Sequence, residues 1–383
     1  GAYLPYHYMT RTTLAAAWGG KKGIGEKSIA DVDEDSVTMA VEAAMGCFRF
    51  IKREDVNALY FASTTGVYAE KSHSALISVA CDLDDAETFT TDFASSTRAG
   101  TNALKSAMDS AAANNKTNVL VVASDMRNGF PKSAEESGFG DGAAAVVVGS
   151  GEGLIAEVDY FTSINEEIND YWRNACEKYT RHAEGRFCDE EGYLLQVNKV
   201  LKKLFNETGL KASDFNKVIL VAQKQKLRDK VIKKNNFTAE QTADTLLLNV
   251  GDTGAAQGIL GLVNTIENSA AGDRILLVDY GNGANAFVLT VTENITKLGA
   301  KGQITQYLKN RKELTSYAKF LSWRDIAAAE PGGAFKLPAS TSQIWREQNI
   351  NIRLHGSVCK KCGAVFKTKV REPPATSRRT SSR

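Results

Sequence analysis

The chain has 383 residues, 43% hydrophobic and 24% charged, with a formal net charge of +2. That length allows two domains or one large unit built by duplication, with the composition of an ordinary globular protein. The near-zero charge argues against a general nucleic-acid binder, and no apolar run reaches the roughly 18 to 20 residues of a membrane span.

Residues 56–63 (VNALYFAS) read as a short buried strand entering a turn. Residues 97–113 (TRAGTNALKSAMDSAAA) read as an amphipathic, alanine-rich helix with a glycine near its start. A continuous apolar strand at 118–125 (NVLVVASD), the loop Gly140-Asp141-Gly142 and a strand at 143–149 follow. The same order then returns: 216–223 (NKVILVAQ), 252–268 (DTGAAQGILGLVNTIEN), 274–280 (RILLVDY), Gly281-Asn282-Gly283 and 286–291. Continuous apolar strands interleaved with helices are strands covered on both faces. The repeat therefore predicts an α/β protein of two duplicated halves, 1–158 and 201–295, in a layered α/β/α/β/α arrangement. Two unrelated α/β domains are the alternative, and the matched order of elements favours duplication. Residues 159–200 are rich in charge and aromatics and read as an inserted cap: a lid, a dimer contact or a surface excursion.

Residues 296–350 read as a connecting segment and 351–366 as a partial zinc ribbon. In Cys359-Lys360-Lys361-Cys362-Gly363 a CxxC before a glycine is the form of a zinc knuckle, with His355 as a third candidate ligand. No second CxxC follows, so the ribbon reads as truncated or frame-shifted. A structural zinc completed by another chain and an unpaired CxxC on a disordered tail both stay open. The basic, Pro/Ser/Thr-rich residues 367–383 are expected to be disordered. The other cysteines (Cys47, Cys81, Cys176, Cys188) lack disulfide-framework spacing, and the opening residues do not read as a signal peptide, which together suit a cytoplasmic setting.

Five stretches carry a resemblance: Gly1-Ala2-Tyr3-Leu4-Pro5, Arg98-Ala99-Gly100-Thr101, Gly140-Asp141-Gly142-Ala143-Ala144-Ala145, Val250-Gly251-Asp252-Thr253, and Gly272-Asp273-Arg274-Ile275-Leu276-Leu277-Val278. Over residues 1–295 the chain resembles the thiolase superfamily, and within it the prokaryotic hydroxymethylglutaryl-CoA synthases. The resemblance implies a thiolase-like fold, a homodimer, and an acyl-CoA whose pantetheine arm runs to a buried site between the halves. It also implies Claisen-type condensation by a cysteine at the start of the first-half helix, a histidine and an asparagine on second-half loops, and a glutamate that moves the proton. A thiolate at a helix N-terminus suits the nucleophile, and a positioned base suits the proton. The ribbon is similar to one that precedes an OB-fold in partners of thiolase-like acyltransferases, which implies thiolase and OB-fold partners. No cofactor beyond the CoA thioester and the possible zinc is implied.

The four positions that match the family's motifs hold other residues. Thr97, preceded by Ser96, stands at the cysteine's place, and no cysteine occurs between Cys81 and Cys176. A hydroxyl there needs an adjacent base to act as a nucleophile, and the favoured reading is that Ser95, Ser96 and Thr97 cap the helix. Ala222 stands at the histidine's place, and no histidine occurs from 183 to 354. Asp252 stands at the asparagine's place and cannot donate a hydrogen bond unless protonated. Thr64 stands at the glutamate's place; nearby Glu70 could substitute, or be a solvated partner of Lys71 or Arg98. His73 is expected at the surface, and His182 lies in the inserted segment. The sequence thus supports a hydroxymethylglutaryl-CoA synthase-like acyltransferase with its catalytic set replaced, working through Thr97, Ser96 or Glu70. Alternatives are a non-catalytic acyl-CoA-binding or scaffolding subunit of a thiolase/OB-fold complex, and a lyase or hydrolase that uses acids of the insert.

Overall fold

Two sheets with the same internal order form the centre of the molecule. The computed structural model describes residues 1–84, 86–114, 117–298, 302–328, 340–366 and 381–382. The first half runs β1 (Ala2–Tyr3), α1 (Ser36–Cys47), β2 (Ala58–Ala62), β3 (Phe89–Phe93), α2 (Ala99–Ala113), β4 (Val119–Asp125) and β5 (Gly142–Val148). The second runs β6 (Ala156–Asn165), α3 (Leu195–Thr208), β7 (Lys217–Leu220), α4 (Gln257–Glu267), β8 (Arg274–Tyr280) and β9 (Gly283–Val291). The sheet orders are β1-β5-β4-β2-β3 and β6-β9-β8-β7. In both, the inner strands are parallel and the last two pairings antiparallel. The second-half counterpart of β3 is reduced to one parallel bridge, Val218 to Thr242.

All residues of β2 and β4 are buried, which is why those segments are continuous apolar runs. Alternate residues serve different layers, as the two-residue period of a strand requires. Val119, Val121 and Ala123 face inward, against Ala103 and Leu104 of α2 and Ile259 and Leu260 of α4. Leu120 and Val122 face outward, against Val37, Met39, Ala40 and Ala43 of α1. In the second half Leu276 and Val278 meet Val197, Val200 and Leu204 of α3. The layers are therefore α1, sheet, α2 with α4, sheet, α3, as the duplication predicts.

Small residues let the two central helices close up. A Cβ on Gly100 of α2 would stand 2.2 Å from the carbonyl oxygen of Ala255, and one on Gly258 of α4 would stand 2.9 Å from Asp279 Oδ2.

Three segments differ from the sequence reading. Residues 156–165, assigned there to the end of the first half and the start of the cap, form β6, paired with β9 in the second sheet. As an edge strand half open to solvent, β6 alternates charged and aromatic residues and lacks an apolar run. The excursion proper is 166–194. The start of the connecting segment is part of the body: strand Lys312–Glu313 pairs with strand His7–Thr10, and helix Tyr317–Trp323 sets Phe320 among Met9, Leu14 and Ile29. Beside it Arg324 and Asp141 form a fully buried ion pair at 2.7 Å. Burial, with Arg324 nearby, pushes the Lys27 ammonium down to about 7, and it donates to the Glu136 carbonyl at 2.6 Å.

The third is the ribbon. Strands Gly356–Val358 and Val365–Phe366 form a hairpin around Cys359 and Cys362, with Ser381–Ser382 alongside. His355 turns away from the cysteines, its Nε2 3.2 Å from Asp82, which also pairs with Arg353 at 2.9 Å. The expected linker at 329–339 and most of the disordered tail, 367–380 and 383, lie outside the described residues. Among the described residues no helix is long and apolar enough to cross a membrane.

The central contact is open to test. Gly100→Ala forces a methyl onto a backbone carbonyl and is expected to cost about 1–3 kcal/mol or more, read as a fall in Tm. Gly153→Ala, where nothing lies within 4 Å, serves as the silent control.

Candidate functional site

The chain enters α2 through a strained turn: Ser95 holds a φ of +68°, a conformation costly for a side-chain-bearing residue. The turn sets Ser96 and Thr97 against the β8–β9 turn of the other half. Thr97 Oγ1 donates to the Tyr280 carbonyl at 3.0 Å, and Ser96 Oγ donates to that of Gly281 at 3.1 Å. Only glycine fits at 281, because a Cβ there would lie 2.6 Å from Thr97 Oγ1. Of the three cap candidates, Ser96 accepts the Arg98 amide at 3.3 Å, and no side chain caps the helix's own first turn. Among the described residues no imidazole, carboxylate or amine bonds either hydroxyl.

Arg98, the next residue, ties the turn to the second half. Its Nη1 donates to Ile164 O and Asn285 Oδ1, and its Nη2 to Asn165 Oδ1 and Asn282 O, at 2.9–3.2 Å. The expected pairing of Glu70 with Arg98 is therefore not found, and Glu70 is exposed.

Thr64 and Asp252 belong to a second cluster, organised by Asp125 at the end of β4. Asp125 Oδ1 accepts from Ser63 Oγ, the amides of Thr64 and Thr65 and Thr65 Oγ1, at 2.7–3.0 Å. Its Oδ2 accepts from Thr64 Oγ1 at 2.9 Å and from the Ala255 amide, ahead of α4, at 2.7 Å. Asp252 pairs with Arg127 Nη2 at 2.6 Å and accepts from the Gly254 amide at 2.9 Å. Arg127 lies 3.9 Å above the Phe139 ring. Where the family resemblance calls for a neutral donor, this chain has a buried ion pair. Ala222 is a buried apolar residue after β7 and carries no polar group.

Asp279 in β8 mirrors Asp125. It accepts from Thr101 Oγ1 of α2 at 2.8 Å and from the Tyr280 amide at 3.0 Å. Complete burial pushes its carboxyl up to about 7, against the opposing pull of those bonds and of Arg98.

The excursion after β6 lies over these loops. Arg173 Nη2 donates to the Thr64 carbonyl at 2.7 Å, Tyr280 donates its hydroxyl to Asp170 at 2.5 Å, and Asn282 Nδ2 donates to the Ile168 carbonyl at 2.6 Å. The Thr180 amide donates to Asn128 O at 2.9 Å, and Tyr179 stacks on Phe130 at 4.5 Å.

Contrary to expectation, His73 is buried. Its Nδ1 faces Asp92 at 2.9 Å while Nε2 accepts the Tyr68 amide at 3.0 Å, so the ring pins the loop after Thr64 and holds no free base. His182 is exposed, 3.7 Å from Glu135. A cleft of about 260 Å³ opens between the halves, lined by Arg11, Gln223, Lys224, Leu247 and Leu248 among others. The loop Trp18-Gly19-Gly20-Lys21-Lys22-Gly23-Ile24-Gly25 borders it, where Gly25 meets Leu248 O.

Cys359 is held below the usual thiol range by the amides of Cys362 and Lys361. Among the described residues, no group of three or more His, Cys, Asp or Glu could hold a metal. Two thiols and a diverted histidine do not fit a closed four-ligand zinc site. Sequence reasoning missed Asp125, Asp279, Arg127 and Arg173. The first two had a signal, an acid at or next to the end of an apolar strand; the two arginines had none.

Two measurements probe this network. Asp252→Asn strips the charge facing buried Arg127 and is expected to cost on the order of 3 kcal/mol, largely recovered when combined with Arg127→Met. A double-mutant cycle in urea checks the coupling. For Asp279, the folded state keeps a proton that the unfolded state has released, so stability falls as pH rises from about 4 to about 7. Asp279→Asn is expected to flatten that slope; parallel wild-type and variant profiles would contradict the assignment.

The matches to known proteins agree with this architecture. Residues 205–292 match the C-terminal model of 3-oxoacyl-[acyl-carrier-protein] synthase III. A solved hydroxymethylglutaryl-CoA synthase complexed with CoA superposes with a TM-score of 0.77 at 22% identity, over 89% of this chain and 93% of that one. The 3-oxoacyl-(acyl carrier protein) synthase III of Pseudomonas aeruginosa does so with a TM-score of 0.69 at 19% identity, over 76% and 96%. The hydroxymethylglutaryl-CoA synthase of Aeropyrum pernix is 32% identical over 82% of this chain and 90% of its own length. That of Methanocaldococcus jannaschii is 32% identical over 85% and 96%. On fold, site architecture and these identities together, the chain belongs to the hydroxymethylglutaryl-CoA synthase family.

Proposed function

We propose that this hydroxymethylglutaryl-CoA synthase-like acyltransferase homologue takes an acyl-CoA thioester between its halves and does not form the family's cysteinyl acyl-enzyme. The observation that carries this reading is the Thr97 hydroxyl, which donates to the Tyr280 carbonyl and has no base hydrogen-bonded to it among the described residues. A serine or threonine without a general base is a poor nucleophile at neutral pH. The acceptor side is altered to match: Asp252 is neutralised by Arg127 and offers no side-chain donor.

The cleft between the halves supports the choice of ligand. Its apolar side, Leu247 and Leu248, suits a pantetheine chain, while Lys224 and the neighbouring Lys21 and Lys22 suit phosphates. The relative solved with CoA has the same fold.

Incubation with radiolabelled acetyl-CoA followed by acid precipitation separates the possibilities. Wild type is expected to bind CoA by calorimetry yet retain no covalent label. Thr97→Cys, which places a thiol at the start of α2, is expected to acquire one. Label on wild type that disappears in Thr97→Ala or Ser96→Ala would contradict the proposal.

A further inference from the structure

The hairpin near the end of the chain carries two thiols that the site between the halves does not use. Residues 360–362 form a turn closed by the Gly363 amide, which donates to the Cys359 carbonyl at 2.8 Å. A bond from residue i+4 back to residue i is one isolated helical turn, in which residues three apart face the same side with Cβ atoms about 5–6 Å apart. Gly363 leaves the turn at a φ of +72°, which glycine adopts without strain. Cys359 and Cys362 are therefore neighbours, and the Cys362 thiol is hydrogen-bonded to the Cys359 sulfur. That contact is the one a disulfide would replace.

The pair is held in place and open to solvent. Strands Gly356–Val358 and Val365–Phe366 fix the two ends of the turn, and Arg353 and His355 tie the base of the hairpin to Asp82 at 2.9 and 3.2 Å. Cys362 is exposed and Cys359 half-buried. The amides of Cys362 and Lys361, with the Cys362 thiol, hold Cys359 below the usual thiol range, which favours the thiolate that attacks disulfides. The other cysteines lack this combination. Cys47, Cys81 and Cys188 are buried, and burial pushes the Cys81 thiol up to about 12. Cys176 is exposed, but residues 173–179 hold no second cysteine to resolve a mixed disulfide.

We infer that Cys359 and Cys362 form a thiol–disulfide redox site whose substrate class is the low-molecular-weight disulfide. The Cys359 thiolate attacks one sulfur of the small disulfide and expels the other as a thiolate, leaving a mixed disulfide. The Cys362 thiol gives its proton to solvent and attacks Cys359 Sγ, expelling the second thiolate. The pair loses two electrons and two protons, and the small disulfide gains them as two thiols. This chemistry is independent of the acyl-CoA reading.

Oxidised glutathione is the probe. The full chain, freed of metal by a chelator, is incubated with it, alkylated, digested with an enzyme that spares lysine and analysed by mass spectrometry. Wild type is expected to lose two hydrogens on the peptide holding Cys359 and Cys362 and to keep no glutathione there, while Cys176 keeps glutathione as a mixed disulfide. Cys362→Ser is expected to retain glutathione on Cys359, because the resolving thiol is gone. Glutathione left on Cys359 in wild type, both thiols still alkylated once Cys176 has reacted, or a disulfide joining two chains would overturn the inference. Titration with zinc reads the competing role, and uptake no greater than that of Cys359→Ser is expected. Uptake of one ion per two chains, with all four thiols shielded, would make the pair half of a metal site and overturn the inference as well.

Discussion

Each half of the molecule carries, at the end of an inner strand or one residue before it, an aspartate that the other half's central helix uses. Asp125 accepts the Ala255 amide ahead of α4, and Asp279 accepts the Thr101 hydroxyl in the first turn of α2. A carboxylate inside a protein is tolerable only when its lone pairs are met, and here most of the partners come from across the interface or from the neighbouring loop. Separating the halves would take the Ala255 amide from Asp125 and the Thr101 hydroxyl from Asp279. This reciprocal bracing fixes the starts of α2 and α4 against each other, and with them the turns that carry Thr97, Thr64 and Asp252. The glycines at 100 and 258 follow from the same constraint, because the helices must come close for the acids to reach.

The site built on that brace is closed on itself by its own hydrogen bonds. The strained turn at Ser95, the glycine at 281 and the loop carrying Asp252 are all in place. What the turn presents is a hydroxyl spent on a carbonyl. The ion pair between Arg127 and Asp252 closes the acceptor side in the same self-contained way. An ion pair of this kind is a weak source of stability, yet losing one partner is costly, so the two residues are expected to change together.

The duplicated plan was legible because doubly covered strands are written as continuous apolar runs, which β4 and β8 show clearly. The edges were not. β3 has the sequence FTTDF and β6 has AEVDYFTSIN; both have one side open to solvent, so their signal is alternation mixed with charge. Residues 159–165 of β6 therefore read as the start of an insertion. Within the site, Thr97, Thr64, Ala222 and Asp252 stand out in the sequence only through the family resemblance, because neighbouring glycines and alanines mark their turns. Arg127 could not, since its partner lies 125 residues away, and Arg173 meets Thr64 across 109 residues. Burial of His73 was hidden for a different reason: the polar loop around it reads as surface, and only its bond to Asp92 on β3 draws it in.

A crystal structure of the full chain soaked with acetyl-CoA tests the central claim most directly, because it shows ligand position and bonding together. The expected result is an intact thioester between the halves, its acyl end near the start of α2, with Thr97 Oγ1 still donating to the Tyr280 carbonyl. Continuous density from the acetyl carbon to Oγ of Thr97 or Ser96, or CoA seated away from the interface between the halves, would contradict it.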